Sequence, residues 1–213
     1  MTHLHSVPAF YKMSEHSLKT LPDMARPRSE DKQIALLDAA TEVIALQGLG
    51  APTALIAKRA GVAEGTLFRY FPNKDALLNA VYLHQCRNAA ESTRCAWDVA
   101  LPLEERMSAA WSDWIDWGVS HPAAFKAMAQ LETSDKLSPE AREEGLKLCG
   151  DCQENFGELP FEGMSKAVAR EFFNMISMAI SQATIDFSLS HPDQTKAAKT
   201  VAFKLFCKGL MEP

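Results

Sequence analysis

Three groups of residues have types and spacings suited to chemistry. The first is Glu64-Gly65-Thr66-Leu67-Phe68-Arg69-Tyr70, which follows Gly61 by a short step. On a helix, Glu64, Gly65, Thr66, Arg69 and Tyr70 would share the outward side, and an outward arginine can give two parallel hydrogen bonds to a guanine edge. Gly65 and Thr66 would let the start of that helix approach a groove closely. Glu64 either accepts from a cytosine amino group or caps the helix.

The second group sets Trp111, Trp114 and Trp117 against a later apolar stretch with Phe172, Met175, Met178, Gln182 and Asp186. Such rings and flexible thioethers either fill a plain core or line a pocket that re-packs around varied ligands. Gln182 and Asp186 within an apolar arc favour the pocket, because an unpaired buried polar group is costly. An Asp beside aromatic faces would suit a lipophilic cation, although a hydroxyl or an Arg nearby would satisfy it equally.

The third group is Cys149-Gly150-Asp151-Cys152. A structural zinc site needs four ligands, and no second CxxC or HxxxH supplies the other two. No βαβ pattern surrounds the pair as in a thioredoxin-like dithiol. Cys86 and Cys95, nine apart, are too distant to hold one ion together. Incidental thiols are therefore expected and no metal, with a redox- or metal-responsive protein using Cys149 and Cys152 as the rival reading. No nucleophile–base constellation or Gly-rich phosphate loop is recognisable, so neither catalysis nor a cofactor is expected.

Almost everything from Ser29 onward reads as helix. Leu36, Leu37, Ala40, Val43 and Ile44 make the apolar face of a first helix, with Glu30 and Asp31 in its first turn and Gly48 and Gly50 beyond its end. A second helix runs from Thr53 to Ala60 and a third from Ala63 or Glu64 to Phe71, with Gly61 taking the left-handed turn between them. Ala57 lets the two cross closely, while Ile56, Val62 and Leu67 pack them on the first helix. Asn73 caps a fourth helix toward Cys95. Leu103, Met107, Trp111, Trp114 and Gly118 share a face of a fifth, which stops at His121-Pro122. A sixth covers 123–132, and Ser138-Pro139-Glu140 starts a seventh that reaches about Glu158. The eighth spans about Met164 to Leu189 and the ninth ends near Leu210. No alternating strand pattern appears, so the expected class is all-α.

The eighth helix is apolar over most of its circumference. Val168, Phe172, Ile176, Ala179 and Ala183 form one stripe, Met164, Met175, Met178 and Ile185 a second, and Phe173, Ile180 and Phe187 a third. The ninth adds Ala198, Ala202, Leu205 and Phe206. Such broad burial requires a second surface besides the helix's own core.

Composition agrees with a folded chain. Of 213 residues, 47% are apolar and 23% charged, which excludes a disordered chain. No apolar run approaches the roughly 18 residues of a membrane span, and no signal-peptide core occurs near the start. An odd count of five cysteines argues for a reducing cytoplasm. The net charge of −5 is unevenly spread: residues 25–75 carry 7 Lys/Arg and 6 Asp/Glu, while 76–213 carry 13 and 19. A near-neutral N-terminal module on an acidic body can still bind DNA if its cations share a face.

The string from Ile56 to Leu78, centred on Gly65-Thr66-Leu67-Phe68-Arg69-Tyr70-Phe71 and followed by Lys74-Asp75, resembles the signature of the TetR family of transcriptional repressors. The likeness runs from about Ser29 to Tyr82, and the rest resembles the family only in helical order and length. It implies that Thr53, Phe68, Tyr70 and Lys74 touch phosphates, and that Gly65, Thr66 and Arg69 face base edges. Arg26 and Arg28 would form an arm beside the helix-turn-helix or stay disordered. More narrowly, Ala25 to Lys32, Trp111, Trp117-Gly118 and His121-Pro122 resemble the RamR-type regulators of multidrug efflux, which implies a lipophilic, often cationic effector.

The expected organisation is a disordered extension over 1–24, with Met24 a natural translation start, a helix-turn-helix domain over 25–73, and a ligand-binding and dimerisation domain over 74–213. The expected function is a ligand-responsive repressor of efflux or detoxification genes. It would bind a palindromic double-stranded DNA operator as a homodimer through its last two helices, and release it when a small lipophilic effector contacts Trp111, Trp114, Phe172, Met175, Met178, Gln182 and Asp186.

Overall fold

The computed structural model describes residues 28–93, 102–148 and 163–211, and every structural statement below concerns those residues. They form nine α-helices and no strand: α1 (Arg28–Gln47), α2 (Thr53–Arg59), α3 (Glu64–Tyr70), α4 (Lys74–Thr93), α5 (Leu103–Ser120), α6 (Pro122–Glu132), α7 (Pro139–Leu148), α8 (Lys166–Ser190) and α9 (Thr195–Met211), with a 3-10 turn at Pro192–Gln194. No described helix is long and apolar enough to cross a membrane.

The helix ends follow local side-chain chemistry. Gly61, at φ +69°, closes α2: its N–H bonds the Lys58 carbonyl at 3.1 Å, and the Val62 N–H bonds that of Ala57 at 3.0 Å. This pairing satisfies two otherwise orphaned carbonyls and turns the chain sharply into α3. Asn73 Oδ1 accepts from the Ala76 N–H at 2.8 Å and Ser138 Oγ from that of Ala141 at 3.1 Å, as the sequence suggested for α4 and α7. Two helix starts and one cap differ. Pro122 itself is the first residue of α6, since its fixed φ and missing N–H suit that position. Helix α8 begins at Lys166 rather than Met164, because Ser165 caps it through the Val168 N–H. Ala63 holds the cap position of α3 without a side-chain bond, so Glu64 is not the cap. The expected continuation of α7 to Glu158 lies outside the described residues, as do residues 1–27.

Leu36, Leu37, Ala40, Val43 and Ile44 of α1 are all buried, together with Ile56, Ala57 and Leu67. One continuous core runs from there through Leu77, Leu78, Val81 and Tyr82 of α4 to Trp111, Ile115 and Trp117 of α5, Phe125 and Leu131 of α6, and Ile185 of α8. Helix α4 packs against α1, α5, α6 and α7, so it joins the N-terminal three helices to the larger bundle.

Helix α8 divides its apolar residues between the bundle and the outside. The buried positions are Ala169, Phe173, Ser181, Thr184, Ile185 and Ser188, whereas Met164, Val168, Phe172, Met175, Phe187 and Leu189 are exposed. Small and hydroxyl residues let α8 approach α5 closely. Trp114 Nε1 donates to Ser181 Oγ at 3.1 Å, and a methyl group on Gly118 would stand 2.2 Å from Ile185 Cδ1.

That crossing yields a test of the packing. Gly118→Ala should destabilise the chain by about 1–3 kcal/mol, because Ile185 is branched and fully enclosed. Gly50→Ala, with open space around its new methyl group, should change stability by less than about 0.5 kcal/mol. Urea unfolding of both variants measures the difference.

Candidate nucleic-acid interface and effector cavity

Helices α2 and α3 cross on α1 with Leu67 fully buried beneath them. The outer side of α3 then presents Gly65, Phe68 and Arg69 as exposed residues at i, i+3 and i+4, with Thr66 and Tyr70 half-buried beside them. Nothing lies within 4 Å of the position a Gly65 methyl group would take. Arg69 makes no hydrogen bond or ion pair among the described residues. Arg59, by contrast, is spent inside the module, its Nε donating to Glu42 Oε2 of α1 at 2.6 Å.

Two of the expected contact residues carry structural bonds. Thr53 Oγ1 donates to Glu64 Oε1 at 2.6 Å, so the starts of α2 and α3 are tied together. Glu64 serves as that acceptor, neither of the roles weighed for it in the sequence. Lys74 Nζ donates to the Ala51 carbonyl at 2.7 Å, pinning the start of α4 to the turn before α2. An ammonium has two further donors, so this bond leaves Lys74 able to meet a phosphate.

A cavity of about 1250 Å³ opens between α4, α5, α6, α7, α8 and α9. Trp111, Trp114, Met175, Met178 and Gln182 line it. Trp111 stacks on Phe206 at 5.7 Å and donates Nε1–H to the Lys199 carbonyl at 3.1 Å. Trp114 stacks on Trp117 at 5.3 Å, and Trp117 itself lies in the core behind the wall. Both wall indoles therefore have their N–H groups satisfied by protein. Phe172 and Asp186 stand outside the wall on the exposed side of α8, and Asp186 Oδ1 accepts from Gln182 Nε2 at 2.8 Å. Gln182 and Asp186 lie one turn apart on the same side of α8, Gln182 half-buried at the wall and Asp186 exposed, so the carboxylate expected inside the apolar arc is met by its own helix at the rim.

The polar end of the cavity was not anticipated. Tyr82 donates a short hydrogen bond to Glu132 Oε1, and Arg142 Nη1 donates to Glu132 Oε2 at 2.6 Å. Both terminal nitrogens of Arg142 also donate to the Glu132 carbonyl at 3.2 Å, closing the end of α6. Burial, then the neighbouring Cys86 and Glu132, push the Tyr82 phenol far above its ordinary pKa, so it stays a neutral donor. Two sequence signals mark this end. Glu132 sits in the last turn of a helix, where the dipole disfavours an anion, and Gly145 sits inside one. A methyl group on Gly145 would come within 2.4 Å of Tyr82 Cε1.

Cys95, Cys149 and Cys152 lie outside the described residues, as do Arg26 and the side chain of Arg28. Cys86 and Cys207 are free and buried. Burial, and secondarily Glu104, push the Cys207 thiol up to about 11, so it is protonated at neutral pH. Among the described residues no three His, Cys, Asp or Glu side chains converge as a metal site.

Comparison with known proteins follows the same division. Residues 36–81 match the family model of bacterial regulatory proteins of the tetR family. The fatty acid metabolism regulator protein of Bacillus subtilis is 44% identical over 52 residues, a match spanning 24% of this chain and only 27% of that relative. A tetR-family transcription regulator from Shewanella sp. PV-4 superposes with a TM-score of 0.71 at 23% identity, over 84% of this chain and 97% of that one. FadR from Bacillus subtilis in complex with stearoyl-CoA gives 0.58 at 20% identity, over 83% and 98%. LfrR from Mycobacterium smegmatis in complex with proflavine gives 0.59 at 19%, over 85% and 98%. These superpositions establish a common fold for the helical body, and the likeness to the tetR family of bacterial regulatory proteins is carried by residues 36–81 of the N-terminal module.

Proposed function

We propose that the chain is a DNA-binding repressor, released from a palindromic operator by a lipophilic small molecule held in the α4–α9 cavity. The observation that carries the DNA reading is the outer side of α3, where Arg69 stands exposed beside Gly65 on a helix fixed from below by Leu67. Arg69, Gly65 and Thr66 would face base edges, while Thr53, Phe68, Tyr70 and Lys74 would meet phosphates.

The cavity supports the effector half of the reading. It exceeds the roughly 300–1,000 Å³ of ordinary ligand sites, and Met175 and Met178 add an adaptable side to the Trp111–Trp114 wall. Stearoyl-CoA in FadR carries a long apolar chain, and proflavine in LfrR is a flat aromatic molecule. Genes that export or degrade the effector are the regulated set this logic favours, in line with the RamR-type resemblance.

The assembly would be a homodimer. Phe172, Phe187, Leu189, Val201 and Leu205 expose large apolar surfaces on α8 and α9, with Leu205 69% exposed. A second copy covers them by two-fold pairing of the α8–α9 hairpins.

These readings make three expectations. In mobility-shift assays Arg69→Ala should lose about 1–3 kcal/mol per subunit with relaxed sequence preference. Lys74→Ala should weaken all sequences alike and reduce the salt slope. Gly65→Ala should keep or raise stability, by up to about 1 kcal/mol, yet weaken operator binding, because its methyl group would meet only the DNA. Unchanged binding by all three variants contradicts the interface. Light scattering should report a dimer at micromolar concentration, and a monomer defeats the assembly. Tryptophan fluorescence should quench as apolar ligands are titrated, with a parallel loss of operator affinity. Quenching without any effect on DNA places the effector elsewhere.

A further inference from the structure

The electrical character of the effector follows from the wall of the cavity, on the premise that the cavity is the effector site. Five side chains on its described wall are of charged type: Glu132, Arg142, Lys166, Arg170 and Glu171. Lys166, Arg170 and Glu171 stand on the exposed side of α8, where water screens them and an ion pair is worth little. Of the five, only Glu132 and Arg142 are half-buried, and they are bonded to each other, Nη1 donating to Oε2 at 2.6 Å. Tyr82 occupies the second carboxylate oxygen, Oε1, with a phenol that burial keeps protonated.

This pairing disfavours an ion of either sign. A cation would have to displace Arg142 or Tyr82 to reach Glu132. The lipophilic cation expected from the sequence also loses Asp186, which stands at the rim and accepts from Gln182. An anion would meet Arg142 only alongside the Glu132 carboxylate already bonded to it, and like charges that close repel in a site shielded from bulk water. What the group offers is a hydrogen bond. Arg142 makes its three bonds through the two terminal nitrogens, which leaves its Nε–H and one Nη2 hydrogen for a further acceptor. An uncharged carbonyl accepts such a bond without bringing a second charge. Beyond this end the wall is apolar, through Met107, Trp111, Phe203 and Phe206, and the N–H groups of Trp111 and Trp114 are already bonded to protein.

We propose that this cavity selects an uncharged apolar molecule carrying a carbonyl acceptor, as in a ketone, ester or amide, with the carbonyl on Arg142 and the body along the Trp111–Phe206 side. Glu132 is the residue that sets this specificity. It neutralises Arg142, so a guanidinium that would otherwise favour anions presents only its hydrogen bonds. Tyr82 completes the device by closing Oε1 to cations.

The test measures binding of the full chain to pyrenebutyrate, its methyl ester and pyrenebutylammonium, all below their aggregation thresholds and read by pyrene fluorescence. The ester should bind at least about tenfold tighter than either ion. Any apolar cavity favours an ester to some degree, so the deciding measurement is Glu132→Gln, which removes the charge and keeps an acceptor for Tyr82. There the carboxylate should gain about tenfold while the ester changes by less than about twofold. Arg142→Gln should act in the opposite sense, the ammonium gaining about tenfold and the ester losing affinity. Tyr82→Phe keeps the ring in place and opens only Oε1, so it carries the test if a change to the ion pair disturbs α6. In that variant the ammonium should gain and the carboxylate should not. An ion that matches the ester in the unaltered chain overturns the neutral reading and leaves the cavity standing as the effector site. So does a folded Glu132→Gln without gain for the carboxylate, or a folded Tyr82→Phe without gain for the ammonium. Failure of all three probes to bind overturns both.

Discussion

The structure depends on helix α4 being bonded on two sides at once. On one side Gln85 Nε2 donates to Thr41 Oγ1 of α1 at 2.9 Å in the buried interior, and His84 meets Asp38 at 3.1 Å. On the other, Tyr82 donates to Glu132 of α6, while Asn79 bonds the Lys136 carbonyl at 3.0 Å and the Ser138 N–H at 2.8 Å. Arg87 adds an exposed pair with Glu144 of α7. Packed interiors respond to a local change by shifting whole elements between discrete arrangements. A change at the cavity's polar end that moves Tyr82 therefore reaches α1 through the same helix, and α1 carries α2 and α3.

Much of this was legible in the sequence where one short stretch determines its own structure. Gly61 specifies the left-handed turn, Asn73 and Ser138 cap the helices that follow them, and the five apolar residues of α1 fall at one spacing. The outward set on α3 followed from Leu67 being the position that must go inside. The bond that Glu64 makes was not legible for a reason that lies beyond local pattern. Its partner Thr53 stands eleven residues earlier on another helix, and only the crossing of α2 and α3 brings them together.

The C-terminal helical body was legible as helices but less so as surfaces. The apolar residues of α8 called for a second surface besides its own core, but did not specify which residues would face each. The bundle admits Ser181, Thr184 and Ser188, because close approach to Gly118 and a hydrogen bond to Trp114 are worth more there than bulk. The bulky residues are thereby left to the outside. For the cavity, Trp111 and Trp114, grouped by their spacing in the sequence, stand together on one wall. The Tyr82–Glu132–Arg142 group joins three helices across 60 residues of sequence, and only the misfit of Glu132 with its helix dipole and of Gly145 with its helix interior hinted at it.

The central claim is that α3 reads DNA as one half of a two-fold assembly. Selection of the purified protein against a random-sequence duplex library, followed by sequencing, tests it most directly. The account predicts enrichment of an inverted repeat whose half-sites lie about one helical turn, or a multiple of it, apart. Enrichment of an isolated half-site, or of no sequence at all, would contradict it.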